Sequence, residues 1–151
     1  MRFIKLGLLS FLIIFGIVTA MSLLIPSQVR ISRAINVGAE KSEVFSMVKD
    51  TTNWRRWQDT VMLKQWTYIN KEVVANTDST FILQMQQRGR KPFLSGWQIY
   101  SYPGADSLTV QWYMDFKLSW YPWEKFSSLF YENSYGLMLE EGLTNLKNSL
   151  N

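Results

Sequence analysis

Residues 108–117, LTVQWYMDFK, run through LSWY at 118–121 into PWEKFSSLFYENSYGLMLEEGLTNLKNSL at 122–150, and this junction decides the fold. Val110, Trp112, Met114, Phe116 and Leu118 alternate with Gln111, Tyr113, Asp115 and Lys117, the period of a half-buried strand. Pro122 then stands where a first helical residue belongs, and Glu124 lies in the first turn, where the helix dipole favours negative charge. Leu139, Leu143, Leu146 and Leu150 fall on one helical face. Trp123, Phe126, Phe130 and Leu137 share another face, which at 100° per residue lies roughly opposite the leucines. One straight helix cannot press both stripes on one sheet. A break near Tyr135-Gly136 resolves the conflict, because glycine tolerates a left-handed or kinked backbone. The expectation is a short helix over 122–134, able to cap a cavity mouth, and a longer one over 137–150 laid across a sheet.

Upstream, residues 28–37 alternate again, with Val29, Ile31, Ile35 and Val37 on one face. Arg33 falls on that apolar face, where a snorkelling edge arginine is the plainer expectation and contact with an anionic ligand the sharper one. Residues 41–49 read as a helix with Val44, Phe45 and Val48 buried. Residues 50–53 have cap and turn chemistry, and Trp54 and Trp57 share a helical face beyond them. The segment 58–95 is the hardest to read: a strand is expected at 62–68, a turn at 76–78 and a strand at 80–87. The basic run 88–92, RGRKP, reads as a hairpin turn, either simply solvated or in contact with anionic headgroups. A strand at 93–102 and a loop at 103–107 return the chain to residue 108.

Length and composition bound the rest. A chain of 151 residues fits one domain after a terminal segment is set aside. Lys and Arg exceed Asp and Glu by 4, but without Arg2 and Lys5 the surplus falls to +2, too little to argue for nucleic acid. There is neither His nor Cys. Disulfides, thiolate chemistry, the usual zinc and copper sites and Ser-His or Cys-His pairs are therefore not expected, nor is a cofactor. The 7 Trp, 7 Tyr and 9 Phe must line a core, a cavity or a membrane face.

Residues 6–25 are uncharged and end at Pro26. Twenty residues at about 1.5 Å rise reach roughly 30 Å, the thickness of bilayer hydrocarbon. Val18-Thr19-Ala20 would serve as a signal-peptidase site, but the run exceeds a usual signal core and continues past it. The expectation is an anchor over 1–26 and a domain over 27–151, with a cleaved signal as the alternative. Arg2 and Lys5 tip the N-terminus toward the cytoplasm, placing the domain outside.

The order of elements, with Ile35-Asn36-Val37-Gly38-Ala39 before Val44-Phe45, Leu108-Thr109-Val110-Gln111-Trp112, and Gly136 before Glu141-Gly142-Leu143-Thr144-Asn145-Leu146-Lys147, resembles the START-like (SRPBCC) superfamily. The resemblance covers about residues 28–150. It is greatest to small bacterial proteins labelled polyketide cyclase, many of which carry an N-terminal anchor. It implies an α+β helix-grip fold, a curved antiparallel sheet around a long C-terminal helix. Glu40-Lys41 and Arg56-Trp57-Gln58 depart from the family's proline-containing turns. The short middle, 58–95, implies a trimmed hairpin and a reduced cavity.

Such a fold encloses an apolar cavity between the inner sheet face and the last helix, the default ligand site. Its wall candidates are Trp57, Leu83, Met85, Trp97, Ile99, Trp112, Met114, Phe116 and Phe130, each of which would serve equally as ordinary core. Two indoles, Trp97 and Trp112, are hard to pack without a hollow or a polar partner. Asp115 should lie on the outer face beside a cross-strand cation rather than act as an acid. Tyr100 and Tyr102 can offer hydroxyls. No family catalytic set carries over. The reading is a membrane-tethered module binding a hydrophobic small molecule or lipid, of unstated oligomeric state. A cyclase- or hydrolase-like enzyme, and a protein-interaction domain using Trp120, Tyr121 and Trp123, are the alternatives.

Overall fold

The computed structural model describes residues 2–58, 69–87 and 89–150. The chain opens with helix α1 (Arg2–Ser22) and enters strand β1 (Gln28–Val37). Helix α2 (Lys41–Lys49) and a 3-10 turn at Asn53–Arg56 follow. Then come β2 (Ile69–Asn76), β3 (Thr80–Gln87), β4 (Phe93–Tyr100) and β5 (Leu108–Lys117). Helix α3 (Pro122–Ser128), a π-helical turn at Glu132–Gly136 and helix α4 (Leu137–Leu150) complete it. The strands form one antiparallel sheet in the order β1-β5-β4-β3-β2. With α4 laid across it, this is the α+β helix-grip architecture.

The period-2 reading of 28–37, 80–87 and 108–117 holds in register and in facing. Ile31, Met114, Ser95 and Leu83 lie in line across the sheet, as do Trp112, Trp97 and Phe81, and all but polar Ser95 belong to the hydrophobic core. Leu139, Gly142, Leu143 and Leu146 of α4 are buried against them, with Val44, Phe45 and Val48 of α2 alongside. On the outer face Gly96 lies beneath the ring of Tyr113 on the neighbouring strand, where a side chain would collide with the phenol.

Several expectations need correction. The strand expected at 62–68 lies outside the described residues, as does Arg88 of the basic turn. Strand β2, over Ile69–Asn76, was not expected. It is a sheet edge with a bulge between Val73 and Ala75 and exposed Val73 and Val74, so its pattern never alternates cleanly. β4 stops at Tyr100 rather than 102. The helix expected over 122–134 ends at Ser128, and a π turn occupies Glu132–Gly136; Gly136 does not have a left-handed backbone, which among described residues is confined to Gly89 and Gly104. Gly136 instead lies close to the end of a flexible side chain: a Cβ there would come 2.5 Å from Arg33 Nη2, which is free to shift. The extra residue in the π turn re-phases the helix, and Tyr131 and Tyr135 turn inward while the Trp123–Phe130–Leu137 stripe faces out.

Candidate functional site

Three of the expected wall residues, Trp57, Trp97 and Trp112, meet Trp54 in a closed cluster. Ring centroids are 5.1 Å apart for Trp97–Trp112, 5.4 Å for Trp54–Trp97, 5.7 Å for Trp57–Trp112 and 6.1 Å for Trp54–Trp57. All four are fully buried. Trp112 Nε1 donates to Ser95 Oγ at 2.9 Å and Trp54 Nε1 to the Val48 carbonyl at 2.8 Å. Gly142 brings α4 down on the Trp112 ring, so that a Cβ there would lie 2.6 Å from Cζ3. The indoles therefore fill the space between the middle of α4 and the sheet. Leu83, Met85, Ile99 and Met114 are buried in the same core. Phe130, expected in the wall, is instead 67% exposed, on the turn that follows the end of α3 at Ser128.

Phe116 has a different setting. It packs on Phe93 at 5.2 Å, Tyr131 at 4.9 Å and Tyr135 at 4.8 Å. These four rings floor a cleft of about 270 Å³, whose rim carries Arg90, Lys91, Lys117 and Glu124. An adjoining hollow of about 490 Å³ shares Pro92, Phe93, Phe116 and Lys117 with it. Tyr131 and Tyr135 were not legible as site residues. They lie four apart in sequence but off the more apolar stripe, and only the π turn aims them at Phe116.

The cleft is amphipathic. Lys91 bonds Glu124 at 2.8 Å and also reaches Ser119. Burial pushes the Glu124 carboxyl up, but the bonds from Lys91 and from the Ser119 N–H outweigh it and hold the carboxyl below its usual range. Arg90 and Lys117 make no ion pair among the described residues, so the rim keeps positive charge. Burial pushes the Tyr135 phenol up, Tyr131 adds to this and Arg90 opposes it. Tyr135 therefore remains a hydroxyl donor at neutral pH.

The other charged residues singled out in the sequence are accounted for by structure. Asp115 sits on the outer face and receives Arg30 Nε and Nη2 at 2.6 Å each, as expected. Arg33, expected to snorkel, instead pairs with Glu132 at 2.5 Å and Glu140 at 3.9 Å, tying β1 to the π turn. The Tyr100 hydroxyl donates to Gln111 Oε1 at 3.0 Å, and Tyr102 is exposed. Among described residues no cluster of acidic side chains could hold a metal ion.

The cleft lies at the anchor end of the sheet. Gln28 pairs with Lys117, Val29 with Phe116, and Phe116 with Phe93, so the aromatic floor belongs to the rungs nearest α1. Residues Phe3–Ser22 form a helix long and apolar enough to cross a membrane.

No family model matches the chain, and no curated protein matches it. Solved structures do. CalU16 from Micromonospora echinospora, in solution, aligns at TM-score 0.56 and 12% identity, covering 80% of this chain and 65% of that one. The di-domain ARO/CYC StfQ of the steffimycin biosynthetic pathway aligns at 0.58 and 5% identity, covering 82% of this chain and 50% of StfQ. The Aha1 dimer from Colwellia psychrerythraea aligns at 0.53 and 12%, covering 81% and 96%. At such identities the likeness defines the fold, and the class of protein is a helix-grip domain preceded by one apolar helix.

Proposed function

We propose that this is a membrane-tethered helix-grip module that binds an amphiphile, a lipid or hydrophobic small molecule with an anionic head, in the cleft at the anchor end of the sheet. The observation that carries the reading is the juxtaposition of the Phe93, Phe116, Tyr131 and Tyr135 floor with the Arg90 and Lys117 rim. Apolar burial on the rings supplies affinity at roughly 25 cal/mol per Å². The two cations and the Tyr135 hydroxyl select the head. Retention of α1 as an anchor would hold the cleft beside a lipid source. The di-domain ARO/CYC StfQ shares the fold, and the tryptophans fill the centre between α4 and the sheet, so the binding space proposed is the cleft and not that centre.

The test is photocrosslinking of the full chain in nanodiscs with a diazirine fatty acid, mapped by mass spectrometry. Adducts at Tyr131, Tyr135 or the 90–93 turn, reduced several-fold in the Arg90→Glu, Lys117→Glu double variant, are the expected result. Adducts confined to residues 3–22 would mean only lipid surrounding the helix, and would overturn the reading.

A further inference from the structure

Trp120, Tyr121, Trp123, Leu129, Phe130 and Leu137 are all exposed, Trp123 at 65% and Phe130 at 67%. They are not scattered. Trp123, Phe130 and Leu137 are exposed on successive segments of the C-terminal helical run, and the rings of Trp120, Tyr121 and Trp123 stack in series at 4.9 and 4.8 Å. A stacked run of exposed rings with further exposed apolar side chains on the segments that follow marks an interaction surface.

Its position identifies what covers it. Residues 3–17 of α1 are exposed, whereas Val18 and Thr19 are half-buried and Ser22 is fully buried, and α1 packs on α3. The contact is fixed by Lys125 of α3, buried, whose Nζ donates to the Ile25 carbonyl at 2.7 Å and Ser27 Oγ at 2.8 Å. Leu118 N–H donates to the Ser27 carbonyl at 2.8 Å. Thus α3 sits level with the last about 7 Å of the apolar helix, the depth at which a span passes from hydrocarbon to headgroups. Tryptophan and tyrosine are the side chains that settle at that depth. The nearby carboxylates do not oppose it: Glu124 is paired with Lys91 and Glu132 with Arg33.

We infer that this aromatic face rests in the headgroup zone of the bilayer that α1 crosses, a second membrane contact that fixes the domain's tilt and holds the cleft mouth against the lipid surface. The inference rests on α1 being a retained span. The absence of native Cys gives a clean test in the full chain. Phe130→Cys carries a small fluorophore in phosphatidylcholine nanodiscs containing doxyl-labelled lipid. Tyr102→Cys, exposed two residues beyond the far end of β4 and a strand length of about 25 Å from its anchor end, is the control. A third variant places the label at Leu137→Cys with Trp120, Trp123 and Phe130 all changed to Ser.

The expected result is doxyl quenching at 130 at least threefold that at 102, and loss of quenching at 137 when the aromatic face is removed. Quenching at 130 by aqueous iodide instead, with the chain still resisting alkaline carbonate extraction, overturns the membrane contact while α1 stands as a span. Protection from both quenchers also overturns it, in favour of a protein cover. Recovery of a soluble chain cut near Ala20 removes both the span and the contact.

Discussion

Gly142 lies directly against the ring of Trp112: a Cβ there would sit 2.6 Å from Cζ3. That ring cannot retreat, because Trp57 and Trp97 hold it on two sides and Ser95 accepts from its indole nitrogen. Gly136 is as crowded in number, 2.5 Å from Arg33 Nη2, yet its neighbour is the end of a flexible side chain.

The two glycines should therefore respond oppositely. In Gly142→Ala, overpacking of about 1–3 kcal/mol exceeds the gain of about 1 kcal/mol from helix propensity, and stability falls. Gly136→Ala, where Arg33 can shift, should change stability by less than about 0.5 kcal/mol or raise it. Thermal unfolding in detergent, followed by near-ultraviolet circular dichroism, checks both. Equal losses would mean that α4 is not pressed on the sheet as described.

The tryptophans offer a second contrast. Trp112→Phe removes ring volume and the bond to Ser95, whereas Trp97 Nε1 has no hydrogen-bond partner among the described residues. Trp97→Phe should be the milder change by about 1 kcal/mol, the net worth of one hydrogen bond. Midpoints of urea unfolding for the two variants measure the difference.

Much of this core was legible in the sequence. Alternation over Gln28–Val37 and Thr80–Gln87 matches the strand limits, and the alternation that continues through Leu118 outruns β5 by one residue. The phase conflict between Phe130 and the leucines showed that the helix is interrupted, but put the end of its first part at 134 rather than at Ser128. What was not legible has physical causes. β2 carries a bulge and exposed valines, so it lacks a two-residue period. Hydrophobicity pointed Phe130 inward because a period count cannot tell an apolar face covered by protein from one facing out. The cleft escaped notice because Tyr131 and Tyr135 reach Phe116 only through the π turn.

Glu124 supplies a pH prediction. Its folded pKa is lowered from the ordinary 4.5. The folded state thus gains stability that is fully present above the ordinary value and is lost as pH falls through the lowered one. Both partners are partly exposed, so the effect is modest. Glu124→Gln should lower Tm at neutral pH and converge with the unaltered chain on the acid limb. A constant Tm difference across pH would show that the carboxylate's charge is not what Lys91 responds to.

Arg33 ties β1 to the π turn through Glu132 at 2.5 Å and, at 3.9 Å, to the first turn of α4 through Glu140, across a partly exposed surface. Arg33→Met should cost no more than about 1 kcal/mol, yet it should loosen the turn that presents Tyr131 and Tyr135. Hydrogen exchange of the 131–136 amides is the readout. Faster exchange there, with α4 unchanged, is expected; unchanged exchange throughout would remove Arg33 from the cleft's support.

The most direct measurement is native mass spectrometry of the intact chain released from detergent. An aromatic cleft with a cationic rim predicts a single anionic amphiphile retained at one-to-one stoichiometry and lost in the Arg90→Glu, Lys117→Glu double variant. A bare chain, or an equal lipid load on the double variant, would contradict the assignment of the cleft as a binding site.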